Sequence, residues 1–479
     1  MSAVGQPVQQ LAPGAVASAA DIDTVIAQLR MRADPLADAA MASLLAPWDS
    51  ELGQAENWRT LAIVNAQLAD WQINGAMRTW KAGADVPAPI GAALEAYVAR
   101  AALLPDWADT AQILRAEELF IDYGMLSCTL LFCSSLPECY VIPDLAAVLH
   151  VAGQLEQHTE YRVRATAAMI FPVMMIGGLT SPEGGGVAQV LKVRLIHATI
   201  RNLILRGDPA LATRRDLVPP LDFGAPTNMH QAMFAHGWDL ADEGMPCSQD
   251  ELAYTLLTFG YVFLRSLRKL GLGLAAADER AYLHAWNVMG HVLGMERSLM
   301  ADTMEQAAAL FERLQARGRA ELYNAGEHDP RPSLGQALMA TMENVIPLRA
   351  IRPFPVLLTR YLCGKTTAKD LGIDHRVSAF SRILFVLCMG ITRGVDALVR
   401  VFLPEFSICR MITRIVGYQF TVKVLMDQTR PLKLPPRLLN QVAGMTEGWK
   451  DDPKAPAWIN NLEHRLTGRA PLPAKGAQK

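Results

Sequence analysis

Along most of the chain, apolar residues recur every three or four positions, the spacing of helices that bury one face. From Gly186 to Leu205 the pattern is dense: Leu191, Leu195 and Leu203 recur at helical spacing, and so do Ile196, Ile200 and Ile204. Upstream, the same reading predicts helices from the capping residue Asp21 to about Arg32, then Leu36 to Leu45, Trp58 to Thr79 and Ile90 to Ala102. Ala108 to Cys133 reads as one long buried helix ended by Leu136-Pro137, followed by Ile142 to Ala152 and Leu155 to Ile176. Beyond the Gly186 helix, Asp208-Pro209 stops the pattern, and Pro219-Pro220 opens a loop carrying His230 and His236. Ser248 and Glu251 stand three apart, the capping-box spacing, ahead of a helix running to about Leu270. Ala277 to Leu293 and Thr303 to Arg317 follow, then a polar loop from Asn324 to Pro332 and a helix from Ser333. Nowhere does period-two alternation persist, so the expected fold is all-α. One large helical domain is expected over 21–467, between a disordered leader (1–20) and a disordered tail (468–479).

Two stretches invite sharper readings. Leu179 to Gly186 is rich in glycine but lacks the Lys-Ser/Thr and the preceding strand of a phosphate cradle, so it reads as a flexible connector. Ile383 to Thr392 places ten apolar or small residues between Arg382 and Arg393. A membrane span needs about twenty, so this run reads as a buried helix. A membrane-surface helix, supported by Arg393, Arg400 and Arg410, is the minority reading and carries the expectation of a peripheral membrane contact.

Composition narrows the class. The 479 residues are 51% hydrophobic, ample for a large core, and 45 basic against 47 acidic residues leave a net charge of −2. That balance lacks the basic excess of a nucleic-acid binder. Seven cysteines, at 128, 133, 139, 247, 363, 388 and 409, form no Cys-x-x-Cys pair. A zinc ribbon, an iron–sulfur centre and a covalently attached c-type haem are therefore not expected, and the odd count fits a reducing compartment. The first basic residue is Arg30, so neither a secretory nor a twin-arginine signal is legible, and a cytoplasmic location is expected.

Candidate chemistry centres on the Gly186 helix. His197 lies three residues after Arg194 and four before Arg201, all on one face. Two nearby cations favour the neutral imidazole, the form that binds a metal. An arginine pair is also suited to holding carboxylates such as haem propionates. On the residues alone, a core histidine with two snorkelling arginines stays open as the alternative. Upstream, Glu160-Tyr161-Arg162-Val163-Arg164-Ala165-Thr166 sets Arg162 and Thr166 four apart on one helical face.

Arg-x-x-x-Thr on one helix, a glycine-rich connection, then Val193-Arg194-x-x-His197-x-x-x-Arg201 together resemble the latex clearing protein (rubber oxygenase) family and its wider relatives, the prenyl-chain-cleaving oxygenases. Leu131-Phe132-Cys133-Ser134-Ser135-Leu136-Pro137-Glu138-Cys139-Tyr140 is similar to the family segment ahead of the Arg/Thr helix. Tyr282-Leu283-His284-Ala285-Trp286 through Gly290 to Leu293-Gly294 resembles a downstream family helix, and the likeness spans roughly residues 110 to 370. It implies a globin-like helical core and a non-covalent haem b whose iron is held by one proximal histidine, His197. It further implies that Arg162 holds a propionate, that the Thr166 hydroxyl shapes the pocket, and that Arg194 and Arg201 join the propionate contacts. Glu138 is the expected acid–base carboxylate, with a solvated charge at a helix end as the alternative. The implied reaction is dioxygenase-type cleavage of a carbon–carbon double bond in a polyisoprene-, prenyl- or lipid-like substrate, with O2 as partner.

The chain departs from the family in two places. Ala165 stands where latex clearing proteins carry a lysine able to cap the iron, and the secretion signal of the extracellular members is not legible. Both turn the expectation away from extracellular rubber. His284 and His291, seven apart, are expected to be structural. Two other functions remain compatible with the sequence: a non-catalytic helical lipid-binding protein, and a haem protein for sensing or electron transfer.

Overall fold

Fifteen of the twenty residues of the helix Gly186–Leu205 are buried, so the remaining helices are arranged around it. The computed structural model describes residues 26–142, 159–212, 217–222, 228–321, 329–344 and 349–402, with a few single positions besides. The expected leader and tail, the helix start at Asp21 and nearly all of the helix expected over 142–152 lie outside the described residues.

Counting helices of eight residues or more, α1 is Pro35–Leu44, α2 Glu51–Asp70, α3 Ala88–Ala101, α4 Thr110–Tyr123, α5 Thr159–Met174, α6 Gly186–Leu205 and α7 Met229–His236. Then come α8 Gln249–Phe259, α9 Tyr261–Lys269, α10 Ala276–Val292, α11 Met304–Glu321, α12 Arg331–Asn344, α13 Phe354–Cys363 and α14 Ala379–Phe402. Two strands of two residues each, β1 Leu217–Val218 and β2 Trp238–Asp239, pair antiparallel and leave the all-α class intact. The central helix α6 packs against α1, α5, α7 and α10.

Local chemistry sets the helix starts. Asp34 caps α1, accepting from the Leu36 and Ala37 amides, with Pro35 opening the first turn. Asp109 caps α4 in the same way through Ala111 and Gln112. Trp71 ends α2 and is fully buried, stacked on Tyr97 with ring centroids 6.1 Å apart.

Glycine and π-helical geometry break two helices that the periodicity predicts as continuous. Gly124 adopts φ 48°, ψ −114°, a conformation open to glycine, and ends α4 inside the expected Ala108–Cys133 helix. The chain resumes as Met125–Leu130, passes through a π-helical turn at Leu131–Ser135 and continues as Leu136–Cys139. The π turn shifts the hydrogen-bond register, so Pro137 sits in the first turn of the next segment instead of ending the helix. Gly260 separates α8 from α9, and a Cβ there would lie 3.4 Å from the Trp286 ring.

Two further expectations are corrected. The run Leu179–Gly186 is pinned, not flexible. Asn74 Nδ2 donates to the carbonyls of Gly178 (2.8 Å) and Ser181 (3.0 Å), and the Gly186 amide donates to Gly178 (2.8 Å). A Cβ on Gly186 would lie 2.6 Å from the Gly178 oxygen, so close backbone approach explains the glycine. The apolar run Ile383–Thr392 lies in α14 and is not buried over its described side chains. Phe380, Ile383, Val386 and Leu387 are each more than half exposed, because this helix meets the body through Phe385 against Phe354. Among the described residues no single helix is long and apolar enough to cross a membrane. A pair bent by 91°, Thr110–Tyr123 with Leu126–Cys139, passes by length and composition alone, and most of its apolar side chains are buried in the core.

Candidate active site

The helices α5, α6, α8 and α10, with the short segment Leu136–Cys139, line an open cavity of about 290 Å³. Ala165, Thr166 and Met169 face it from α5, Val193 and His197 from α6, and Leu252, Thr255, Leu256 and Phe259 from α8. Leu136, Cys139, Cys247, Glu251, Met289 and Leu293 complete the wall. Thr166 and His197, expected from the sequence to act together, therefore meet at one space although a loop separates their helices.

His197 is partly exposed where it faces this cavity. Burial first, and the cation of Arg201 second, push its pKa down to about 4, so the ring is neutral at physiological pH. None of the hydrogen bonds or ion pairs among the described residues engages it. A neutral ring nitrogen opening on an apolar space is suited to axial ligation. Among the described residues there is also no group of three His, Cys, Asp or Glu able to hold a bare metal ion. The one neutral histidine facing the cavity could hold a metal that brings its other ligands with it. The two thiols on the wall are poor rivals for such a metal. Cys139 Sγ lies 2.8 Å from Thr258 Oγ1, and the Cys247 thiol is pushed up to about 12, chiefly by burial.

Arg194 and Arg201 do not line the cavity, which corrects their expected contact with a cofactor. Arg194 Nη2 donates to Asp34 Oδ1 at 2.7 Å, its Nε donates to the other oxygen, and its Nη1 donates to the Val292 carbonyl at 3.1 Å. Arg201 Nε donates to Asp38 Oδ1 at 2.9 Å and its Nη1 to the Cys247 carbonyl at 2.9 Å. The physical reason is burial: both guanidiniums are below 10% exposed, and cations held there need fixed counter-charges. Asp34 and Asp38, four apart at the start of α1, supply them. Burial even holds the Asp38 carboxyl above its ordinary range against the pull of Arg201. The pairs fix the rotation and depth of the helix that carries His197. No local pattern signals this pairing, since about 160 residues separate the partners.

Glu138 also lies off the cavity wall, although its neighbours Leu136 and Cys139 line it. Arg265 Nη2 donates to Glu138 Oε1 at 2.6 Å, while Gln315 Nε2 (2.8 Å) and Thr367 Oγ1 (3.3 Å) bind Oε2. Three donors occupy the carboxylate and tie α9, α11 and the 365–370 helix together, so the expected acid–base role gives way to a structural one. Arg162 sits on α5 one turn before Thr166, and its side chain lies outside the described residues. His284 accepts the Asp109 amide at 2.8 Å, and both His284 and His291 pack edge-on against Trp107, as expected of structural histidines.

Glu251 stands at the capping-box spacing from Ser248 but does not serve a cap. Ser248 makes no side-chain cap bond and donates instead to Asp250, while Glu251 turns to the cavity.

The pinned loop between α5 and α6 is held by a titrating group on α4. Glu117, fully buried, accepts from the Gly177 amide at 2.7 Å and the Leu179 amide at 3.4 Å. Burial pushes its pKa up from 4.5 to about 7. The folded protein therefore holds this proton more tightly than the unfolded chain does. That contribution is fully present below pH 4.5 and is lost as the pH rises through 7. Glu117→Gln is expected to remove it, so the fall in urea midpoint from about pH 5 to about pH 8 should be smaller than in wild type. An unchanged fall would contradict the assignment.

Comparison with known proteins agrees with this architecture. The family model of the ER-bound oxygenase mpaB/B'/rubber oxygenase catalytic domain matches residues 141–394, more than half of the chain. The rubber oxygenase of Streptomyces sp. (strain K30) is 23% identical over 338 residues, covering 68% of this chain and 70% of that protein. The fold is similar to that of latex clearing protein in its closed state, with a TM-score of 0.55 and 17% identity over 88% of this chain and 91% of the other. With its Thr166 and His197 helices inside the matched region, the chain belongs to the mpaB/B'/rubber oxygenase catalytic-domain family.

Proposed function

We propose that this oxygenase-family chain is a haem b-dependent enzyme that uses O2 to cleave a double bond in a hydrophobic, unsaturated isoprenoid- or lipid-like substrate. The observation that carries the reading is His197, which opens with Thr166 on an apolar cavity, is held neutral by burial and makes no hydrogen bond or ion pair among the described residues. When bound, the haem would supply an iron centre able to activate O2. The rest is the work of the chain. His197, kept unprotonated by burial, would hold the iron. Val193, Leu252, Leu256, Phe259, Met289 and Leu293 exclude water and give an apolar chain a surface to lie on. The Thr166 hydroxyl is a hydrogen-bond donor on the wall. Arg162, one turn earlier on α5, is the residue assigned to a propionate, now that Asp34 and Asp38 engage Arg194 and Arg201. Ala165 leaves no lysine at that position to cap the iron.

The test is oxygen uptake by the haem-loaded protein with unsaturated isoprenoids, with carbonyl products identified by mass. Thr166→Ala is expected to keep its haem spectrum while its rate changes by about tenfold or more, the equivalent of one lost hydrogen bond in the transition state. Loss of haem in Thr166→Ala would give the residue a different role. Haem-loaded wild type that consumes no oxygen with any such substrate would overturn the enzymatic reading.

A further inference from the structure

A second open cleft, of about 520 Å³, shares no lining residue with the cavity at His197. Asn74, Gly75 and Arg78 line it together with the end of α3, the connector Leu179–Pro182 and Val187 at the start of α6. Its volume lies within the roughly 300–1,000 Å³ usual for small-molecule sites. The lining is of two kinds. Val98, Leu103, Leu104, Leu179 and Val187 supply hydrocarbon, and Leu103 is 64% exposed, a large apolar side chain left facing water. Arg78 is the one charged side chain on the lining, and it makes no hydrogen bond or ion pair with any described residue. The Thr180 hydroxyl, on the same lining, likewise has no partner among the described residues.

The walls are fixed before any ligand arrives. The Gly75 amide donates to the Pro182 carbonyl and the Asn74 amide to the Gly184 carbonyl, both at 2.8 Å. A Cβ on Gly75 would lie 3.1 Å from Pro182, so the two segments are in close contact. Little ordering entropy is therefore lost when the cleft fills. A guanidinium presents a planar fork that matches one carboxylate. A phosphate monoester carries about −1.5 to −2 charge at neutral pH, and the lining has no second cation to balance it. We propose that this cleft binds an apolar chain ending in a carboxylate, as a medium-chain fatty acid does. Arg78 and Thr180 receive the carboxylate, and Leu103, Leu104 and Val187 cover the chain. The site is separate from the oxygenase reading and stands whether or not His197 holds haem.

The test is calorimetric titration of the purified protein at pH 8 with decanoate and with 1-decanol, its neutral counterpart. Wild type is expected to bind decanoate about fivefold more tightly, roughly what a well-aligned ion pair open to solvent supplies. Arg78→Gln should erase that preference, and Arg78→Lys, without the planar fork, should keep part of it. Leu103→Asp should weaken both ligands. Arg78 and Leu103 are exposed, so these variants are expected to fold. Equal affinities in wild type, or no binding of decanoate, would overturn the proposal. So would a preference that survives Arg78→Gln, which would place the ligand elsewhere, as in the His197 cavity. Decyl phosphate bound more tightly than decanoate would overturn the choice of a carboxylate.

Discussion

His197→Ala is expected to yield a folded protein that no longer retains haem. The ring lines a cavity and makes no hydrogen bond or ion pair among the described residues, so its loss leaves no buried polar group stranded. The helix around it stays anchored through Arg194 and Arg201. With no Cys-x-x-Cys-His in the chain, nothing else tethers the cofactor covalently. Loss of outer partners of a metal ligand already costs about 10–100-fold in affinity, so loss of the ligand itself should lower haem occupancy by at least that much. The readout is Soret absorbance per protein after expression with ample haem. His284→Ala, on a ring packed against Trp107, serves as the control that keeps the band. Full occupancy in His197→Ala would remove the histidine from the iron.

The second large effect is on stability. Asp38→Ala leaves Arg201, fully buried, without its counter-charge. Removing one partner of a buried pair costs about 3–5 kcal/mol, a large share of the roughly 5–15 kcal/mol that holds a typical protein folded. Replacing both partners with apolar groups, as Asp38→Leu with Arg201→Met, removes the stranded charge and should recover most of that loss. Urea midpoints of the two single variants and the double variant measure the coupling. A change below about 1 kcal/mol in Asp38→Ala would show that the pair does not hold α1 to α6. Haem retention should follow stability in this series, because the pair positions the helix and not the iron itself.

The helical class was legible because period-3.6 burial is written into each segment, and the meeting of Thr166 with His197 followed from two short motifs on adjacent helices. What escaped the sequence depends on distant partners. The counter-charges of Arg194 and Arg201 come from Asp34 and Asp38, and no local pattern links α1 to α6. Glu138 reads as an available carboxylate until Arg265, Gln315 and Thr367 are brought to it from later helices. Glu251 was hidden by the opposite error, since its spacing from Ser248 fits a local cap that the backbone does not use. The breaks at Gly124 and Gly260 escaped because a lone glycine inside an apolar run marks a bend only when its backbone angles or a neighbour such as Trp286 are known.

An absorption spectrum of the purified protein, alone and after dithionite in alkaline pyridine, shows whether a haem sits at His197. A Soret band together with a b-type pyridine haemochrome is the predicted result. A folded protein expressed with ample haem that shows neither would contradict the claim and leave the cavity to a lipid-like ligand alone.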